Sequence, residues 1–380
     1  MENNWDKTTF QNIITLNYGK SLPKTKRIQG KYSVYGSGGI VGTHNELLVD
    51  GPVIIVGRKG TVGSLFYETK GCFPIDTTYY IKQSSKYNLK FIYYLLRCSN
   101  IDKMNSHSAV PGLNRNDLYS KEVIIPTIDT QDKIVKILYS LDNKIKLNNK
   151  MNKTLEEMAQ AIFKSWFVDF EPFKNGEFEE SEVGMIPKGW RTVELSEIGN
   201  IITGKTPSKN NLEFFGDEYK FITPKDINGN MFITKTERGL SEQGYNKMKK
   251  NKHIKYSIGV SCIGSDLGEV YLNDNDGFTN QQINTITLSN IMQYPYVYIF
   301  LKNMKNELKN IASGSAVPII NKTTFSKIKI ILPSEKCIGD FYNKVNSIFD
   351  KVLINISQNE ELKAIRDTLL PKLISGEIKL

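Results

Sequence analysis

The sequence predicts an α+β chain with an internal pseudo-two-fold repeat: two globular α/β modules with mainly strand cores, separated by two long antiparallel coiled-coil helices. Three observations carry that prediction. Ser108-Ala109-Val110-Pro111 returns 207 residues later as Ser315-Ala316-Val317-Pro318, and at the same offset Asn114 matches Asn321 and Pro126 matches Pro333. Past each of those last prolines a seam with strict 4-3 spacing begins, the signature of a coiled-coil helix. The first copy reads Ile134, Leu138, Leu141, Ile145, Asn148, Asn152, Leu155, Ala159, Ile162 and Trp166; the second reads Phe341, Val345, Ile348, Val352, Asn355, Asn359, Leu362, Arg366, Leu369 and Leu373. Between the anchors, short β-branched and aromatic runs alternate with glycine turns, which is strand patterning.

The first module opens at Trp5, and the opening returns at Trp190 after the turn Ile186-Pro187-Lys188-Gly189. At this offset of 185, Gly19-Lys20-Ser21 meets Gly204-Lys205-Thr206; the offset grows to 205 where Gly60-Thr61-Val62-Gly63 aligns with Ser265-Asp266-Leu267-Gly268. The second module therefore holds about 20 extra residues in its first half. Val53-Ile54-Ile55-Val56, Thr77 to Ile81, Val123-Ile124-Ile125, Ile283 to Ile286 and Ile328 to Ile331 read as strands, and Leu89 to Arg97 and Pro295 to Lys309 as short helices packed on them. These signals divide the chain into a first globular module at 1–126, a central helix and the start of an acidic linker at 127–173, the rest of the linker and the second module at 174–333, and a C-terminal helix at 334–380.

Chain path orients the helices. The central one leaves the first module and ends at the second, while the C-terminal one begins at the second and is free to run back. Antiparallel pairing sets Asn148 opposite Asn359 and Asn152 opposite Asn355, one polar layer that fixes register. A parallel pair would set Asn148 beside Asn355. Thirty-three helical residues span roughly 50 Å, enough to act as a ruler against a duplex whose repeat is about 34–36 Å.

At 380 residues and 39% hydrophobic content, the chain can bury two ordinary cores. Its net charge is +10, yet Asp169 to Glu182 carries six acids against Lys174 alone, so that an acidic linker separates two basic modules sharing +15. Basic modules suit a polyanion, most simply nucleic acid, although a Lys- and Asn-rich composition also produces solvated basic surface. No apolar run approaches the roughly 18 residues that span a bilayer, and the polar start MENNWDKTTF does not read as a signal peptide, so a soluble, cytoplasmic protein is expected. Cys72, Cys98, Cys262 and Cys337 stand far apart without a CxxC, as scattered core thiols do.

Catalytic constellations do not assemble. Gly199-Asn200-Ile201-Ile202-Thr203-Gly204-Lys205-Thr206 matches the phosphate-loop pattern GxxxxGK[ST]. Pro207 and Pro224 interrupt the helix such a loop requires, and the twin position of Gly199 is Ile14. No motif for amino methylation of a base and no methyl-donor fingerprint is present. Only three histidines exist, His44, His107 and His253, none beside a nucleophile motif, and the carboxylate-lysine echo Glu361-Leu362-Lys363 lies on the coiled coil. No catalytic residue, metal ligand or bound cofactor is assigned to this chain.

What remains suits reading DNA. Tyr35-Gly36-Ser37-Gly38-Gly39 and Gly57-Arg58-Lys59-Gly60-Thr61-Val62-Gly63 are glycine turns, the second carrying a cation pair: Arg can grip guanine with two bonds and Lys can meet phosphate. Lys20 and Lys205 sit in matching glycine turns, and Gln281, Gln282 and Asn284 can pair with adenine edges. The loops before each coiled coil add Ser106, His107, Ser108, Asn114 and Arg115, then Ser313, Ser315, Asn321 and Lys322. Any one of these residues also serves ordinary turn or strand-surface duty; the signal lies in a set that differs between modules while the scaffold repeats.

YGSGG and GRKGTVG in the first module, AIFKSWFVDFEPF after the central helix, IPKGW, ITGKTPSK and SAVP in the second, and LLPKLISGEI at the end together make the chain resemble, over nearly its whole length, the specificity subunits of type I restriction-modification enzymes. The resemblance implies two target-recognition domains, each reading one half of a bipartite site in double-stranded DNA, with paired helices that set the gap. It also implies docking of two methyltransferase subunits holding S-adenosylmethionine, joined by motor-nuclease subunits that use ATP and magnesium. By it, this chain reads sequence and performs no chemistry. The YGSGG turn has no clear twin in the second module, where Phe221 to Ile227 fills the comparable region, so the two half-sites are expected to be unrelated. A coiled-coil scaffold without DNA specificity, or a stand-alone methylase or nuclease, are the competing readings.

Overall fold

The computed structural model of the chain describes residues 5–104, 112–208, 210–312 and 318–380. It divides into two compact units, one of Met1–Ile145 with Glu361–Leu380, the other of Lys146–Glu360. Two forty-residue helices, central Ile128–Phe167 and C-terminal Glu335–Ile374, contribute to both units.

In the first unit the ends of the globular module are tied together, Asp6–Thr9 pairing antiparallel with Glu122–Ile125. A four-stranded sheet runs in the order Asn17–Tyr18, Thr78–Lys82, Val53–Gly57, Leu65–Glu68. Ile54 and Val56 face the main core with Phe91, Tyr94 and Leu95 of the helix Leu89–Cys98, while Val53 and Ile55 face Tyr35 and Cys72. Burial on both faces explains why this run is apolar without alternation. A second sheet joins Gly39–His44, Tyr32–Gly36 and Cys72–Pro74, the last two in parallel. Asn88 caps the helix, accepting from Lys90 N and Phe91 N at 2.9 and 3.1 Å. The same side chain donates to Asp132 at 2.7 Å, tying the module to the start of the central helix. Further along, Asp142 accepts from Arg366 of the C-terminal helix at 2.8 Å and from the Tyr94 hydroxyl at 2.7 Å.

The second unit repeats this frame. Arg191–Glu194 pairs antiparallel with Lys329–Leu332. Its main sheet runs Gly199–Thr203, Ile283–Leu288, Ile258–Ser261, Val270–Asn273, and adds Phe232–Ile233 at the edge. Tyr219–Ile222 with Gly277–Thr279 repeats the parallel pair. Arg238–Leu240, antiparallel to Tyr219–Ile222, repeats Gly39–His44, while the strands Phe215–Gly216 and Phe232–Ile233 and the helix Glu242–Met248 have no counterpart among the described residues of the first module. The segment expected as one helix from Pro295 to Lys309 is two, Tyr294–Asn303 and Lys305–Ile311, which meet at Met304.

The acidic stretch is not an open linker. Phe178–Ser181 and Gly184–Pro187 form a hairpin. Asp169, Glu171, Glu177 and Glu182 pair with Lys164, Lys174, Lys188 and Lys329, so local lysines neutralise most of its charge.

Within this unit the helices pair antiparallel in the expected register. Asn148 Nδ2 donates to Asn359 Oδ1 at 2.9 Å, and Asn355 Nδ2 donates to Asn152 Oδ1 at 2.8 Å. Gln358 and Asn149 extend the layer, accepting from Asn148 and Asn359. Beyond Ala159 the buried positions step by four to Phe163 and Phe167, leaving the expected Ile162 and Trp166 half-buried. The cause is aromatic packing at the helix exit: Phe167 stands 4.6 Å from Tyr296 and 4.8 Å from Phe341, and Phe173 packs 4.9 Å from Trp190. The sequence AIFKSWFVDFEPF thus owes its aromatics to the corner where helix becomes module.

The four thiols are unpaired; Cys72, Cys262 and Cys337 are buried, and burial pushes Cys72 and Cys337 up to about 12. Among the described residues no helix is long and apolar enough to cross a membrane, and no group of three or more His, Cys, Asp or Glu is placed to hold a metal ion.

Candidate nucleic-acid interface

In the first module the glycine turn leaves the fully buried central strand and is closed by Gly63 N donating to Gly57 O at 2.9 Å. Gly60 and Gly63 adopt φ of +84° and +72°, and a Cβ on Gly57 would come within 2.2 Å of Thr61 O, so side chains are excluded where the chain reverses. The turn is clamped on two sides. Arg58 N donates to Thr77 O, and Arg58 O accepts from Leu113 N, both at 2.9 Å. That second clamp brings in Asn114 and the start of the helix Arg115–Ser120.

Lys20, Lys59, Thr61 and Arg115 are exposed around this turn. Arg58 is half-buried; its Nη2 donates to Asp76 O at 2.7 Å and its Cζ lies 5.2 and 5.7 Å from the Tyr18 and Tyr79 rings. Two nominated residues turn out to be structural in their bonding. Ser37 is buried, donates to Lys59 O and accepts at its own carbonyl from Ser64, pinning one glycine turn to the other. Asn114 caps the helix Arg115–Ser120, accepting from Asn116 N at 2.9 Å, and its repeat partner Asn321 caps Lys322–Ser326, accepting from Thr324 N at 2.9 Å.

The second module builds the same backbone with other side chains. Cys262 N donates to Gln282 O at 2.8 Å and Cys262 O accepts from Ile320 N at 2.9 Å, the two clamps that hold Arg58 in the first module. Cys262 therefore occupies the Arg58 position. Thr203 pairs with Asn284 where Tyr18 pairs with Tyr79. Asn284 is buried, accepts from Thr203 Oγ1 at 2.6 Å and donates to Ile320 O at 3.3 Å, so its amide has no edge left for a base. Gln281 is exposed and accepts from Thr206 Oγ1 at 2.7 Å; half-buried Gln282 accepts from Asn280 Nδ2 at 2.9 Å. Lys205 and Lys322 are exposed beside them. Gly199–Thr203 is a ladder strand, so its amides do not form a phosphate cradle. His107, Ser313 and Ser315 lie outside the described residues, as do Ser106 and Ser108.

The sequence did not single out four residues that pack on or bond to the candidates: Tyr18 and Tyr79 against Arg58, Thr206 with Gln281, and Asn280 with Gln282. The signal was present for Tyr18, a lone aromatic directly before Gly19-Lys20, and absent for Tyr79, which reads as ordinary strand. Burial pushes the Tyr79 phenol up to about 12, Tyr18 adding to the rise and Arg58 and Arg115 opposing it.

Comparisons with known proteins fit this doubled frame. The family described as type I restriction modification DNA specificity domain matches residues 2–157 and again 187–364. The specificity subunit of the type I restriction enzyme HindI from Haemophilus influenzae is 37% identical over 328 residues, covering 70% of this chain and 71% of that protein. The MjaIX specificity subunit from Methanocaldococcus jannaschii is 27% identical over 301 residues, covering 77% of this chain and 69% of its own. In fold, the crystal structure of a type I restriction-modification S subunit from M. genitalium superposes with a TM-score of 0.64 at 19% identity, over 98% of this chain and 96% of that one. With the domain present twice and a long relative above 30% identity, the chain belongs to the type I restriction-modification DNA specificity family.

Proposed function

We propose that the chain is the sequence-specific DNA-binding subunit of a type I restriction-modification complex, each globular module reading one half of a bipartite site. The observation that carries this reading is the substitution of side chains on a common frame. One pair of backbone clamps presents Arg58 against the rings of Tyr18 and Tyr79 in the first module and buries Cys262 beside Thr203 and Asn284 in the second. A frame kept while its face changes is what two different half-sites require.

In this reading the paired helices set the spacing and dock two methyltransferase subunits, which hold S-adenosylmethionine, while motor-nuclease subunits supply ATP- and magnesium-dependent cleavage. Lys20, Arg58, Lys59, Thr61, Arg115, Lys205, Gln281, Gln282 and Lys322 remain as exposed or half-exposed candidates for DNA contact. Ser37 and Asn284 are set behind them, since their side chains bond inside the fold.

The test is to map methylated bases in a genome carrying the system, before and after residues 1–126 are exchanged for another module. One half of the methylated site should change and the other should persist. An unchanged site would favour a scaffold without its own specificity.

A further inference from the structure

The two cations of the first turn behave differently. Lys59 is exposed and has no ion pair among the described residues. Arg58 is held from three sides: Nη2 on the Asp76 carbonyl, and the guanidinium against the rings of Tyr18 and Tyr79, themselves 5.0 Å apart. Its Nε is buried without a partner, so the stem of the side chain is enclosed while its far end is not. Tyr18 is 50% exposed, and Arg115 approaches the same ring at 5.7 Å. A free ammonium suits phosphate, which accepts from many directions. A planar fork fixed in advance suits a base edge, where two bonds must form at once.

We propose that Arg58 is the guanine reader of the first half-site, donating two hydrogen bonds to O6 and N7, and that Tyr18 is the positioning residue that aims it. One Nη2 hydrogen is spent on Asp76, which leaves the other and the two on Nη1 to form the fork. Cys262 stands at the matching place in the second module and Thr203 in place of Tyr18, so the second half-site has no equivalent reader. The proposal rests on the DNA-reading function above and adds a base to it.

The experiment uses the full chain assembled with its methyltransferase subunits and a DNA library randomised across both half-sites. In the unaltered protein one half-site contains a required guanine. Arg58→Lys keeps the charge and removes the fork, and should lower the preference for that guanine by about 5- to 150-fold while the other half-site is read as before. That retained half-site is the internal control for folding. Tyr18→Phe should keep the guanine preference, whereas Tyr18→Ala should lose most of it. The proposal is overturned if Arg58→Ala weakens every sequence equally and flattens the salt dependence by about one unit of slope, the mark of a phosphate contact. It is also overturned if neither half-site requires a guanine sensitive to Arg58. A complex that methylates no bipartite site at all would instead remove the DNA-reading function itself.

Discussion

Breaking one side of the asparagine layer should cost more than breaking both. Asn355 is 1% exposed and Asn152 is 8% exposed, and the bond between them is 2.8 Å. In Asn355→Leu the Asn152 Oδ1 is left buried without a donor, a penalty of about 1–3 kcal/mol, and the hydrogen bond itself is worth about 1 kcal/mol. Added leucine burial returns part of that, so a net loss of about 2 kcal/mol is expected. In Asn152→Leu/Asn355→Leu no polar atom of the pair is stranded, and the variant should lie within about 1 kcal/mol of the original or above it. Urea unfolding followed by tryptophan emission in a Trp5→Phe background reports the second unit, where Trp166 and Trp190 sit in its aromatic core. With a slope of about 3 kcal/mol/M, the single variant should shift the midpoint down by about 0.7 M and the double should recover it. Strictly additive losses would refute the claim that the pair acts as one buried polar unit.

Three further outcomes are expected. Cysteines placed at 148 and 359 should crosslink readily and those at 148 and 355 should not, since Asn148 bonds Asn359; the reverse result on a non-reducing gel would sink the antiparallel register. His253 is buried and pushed down to about 4 by burial, with Lys220 lowering it further and Asp276 opposing. The unfolded chain takes up that proton first, so stability should fall by about 3 kcal/mol as pH drops from about 6.5 to about 4; His253→Leu should show a shallower acid slope, and an identical slope would argue against neutral burial. Asn284→Leu strands Thr203 Oγ1 and Ile320 O and should lower the stability of the second unit by about 2–3 kcal/mol, while binding at low temperature keeps both half-sites; altered base preference would return Asn284 to the DNA face.

The repeat made the frame legible because it is written in spacing. Asn148 and Asn359 could be paired on paper because a 4-3 seam leaves little freedom in register. The seam failed at Ile162 and Trp166, where Tyr296 and Phe341 capture Phe163 and Phe167 instead; long-range aromatic contacts leave no periodic trace. The candidate site was legible by loop and not by side chain. Glycine turns located the face around Arg58, but nothing local distinguishes Gln281, which is exposed, from Asn284, three positions along the chain and sealed against Ile320. Nor does sequence alone reveal that Ser37 bonds inward, because its partner Lys59 O is 22 residues distant.

Each module begins and ends on one two-stranded ladder, Asp6–Thr9 with Glu122–Ile125 and Arg191–Glu194 with Lys329–Leu332. A polymer closed on itself at such a clasp gains length cheaply. The about 20 added residues of the second module raise its closure entropy by only about 0.2 kcal/mol, because that cost grows with the logarithm of loop length. Insertions between the clasped strands are therefore nearly free in closure entropy, and the proline that follows each clasp, Pro126 or Pro333, still delivers its helix from the same ladder.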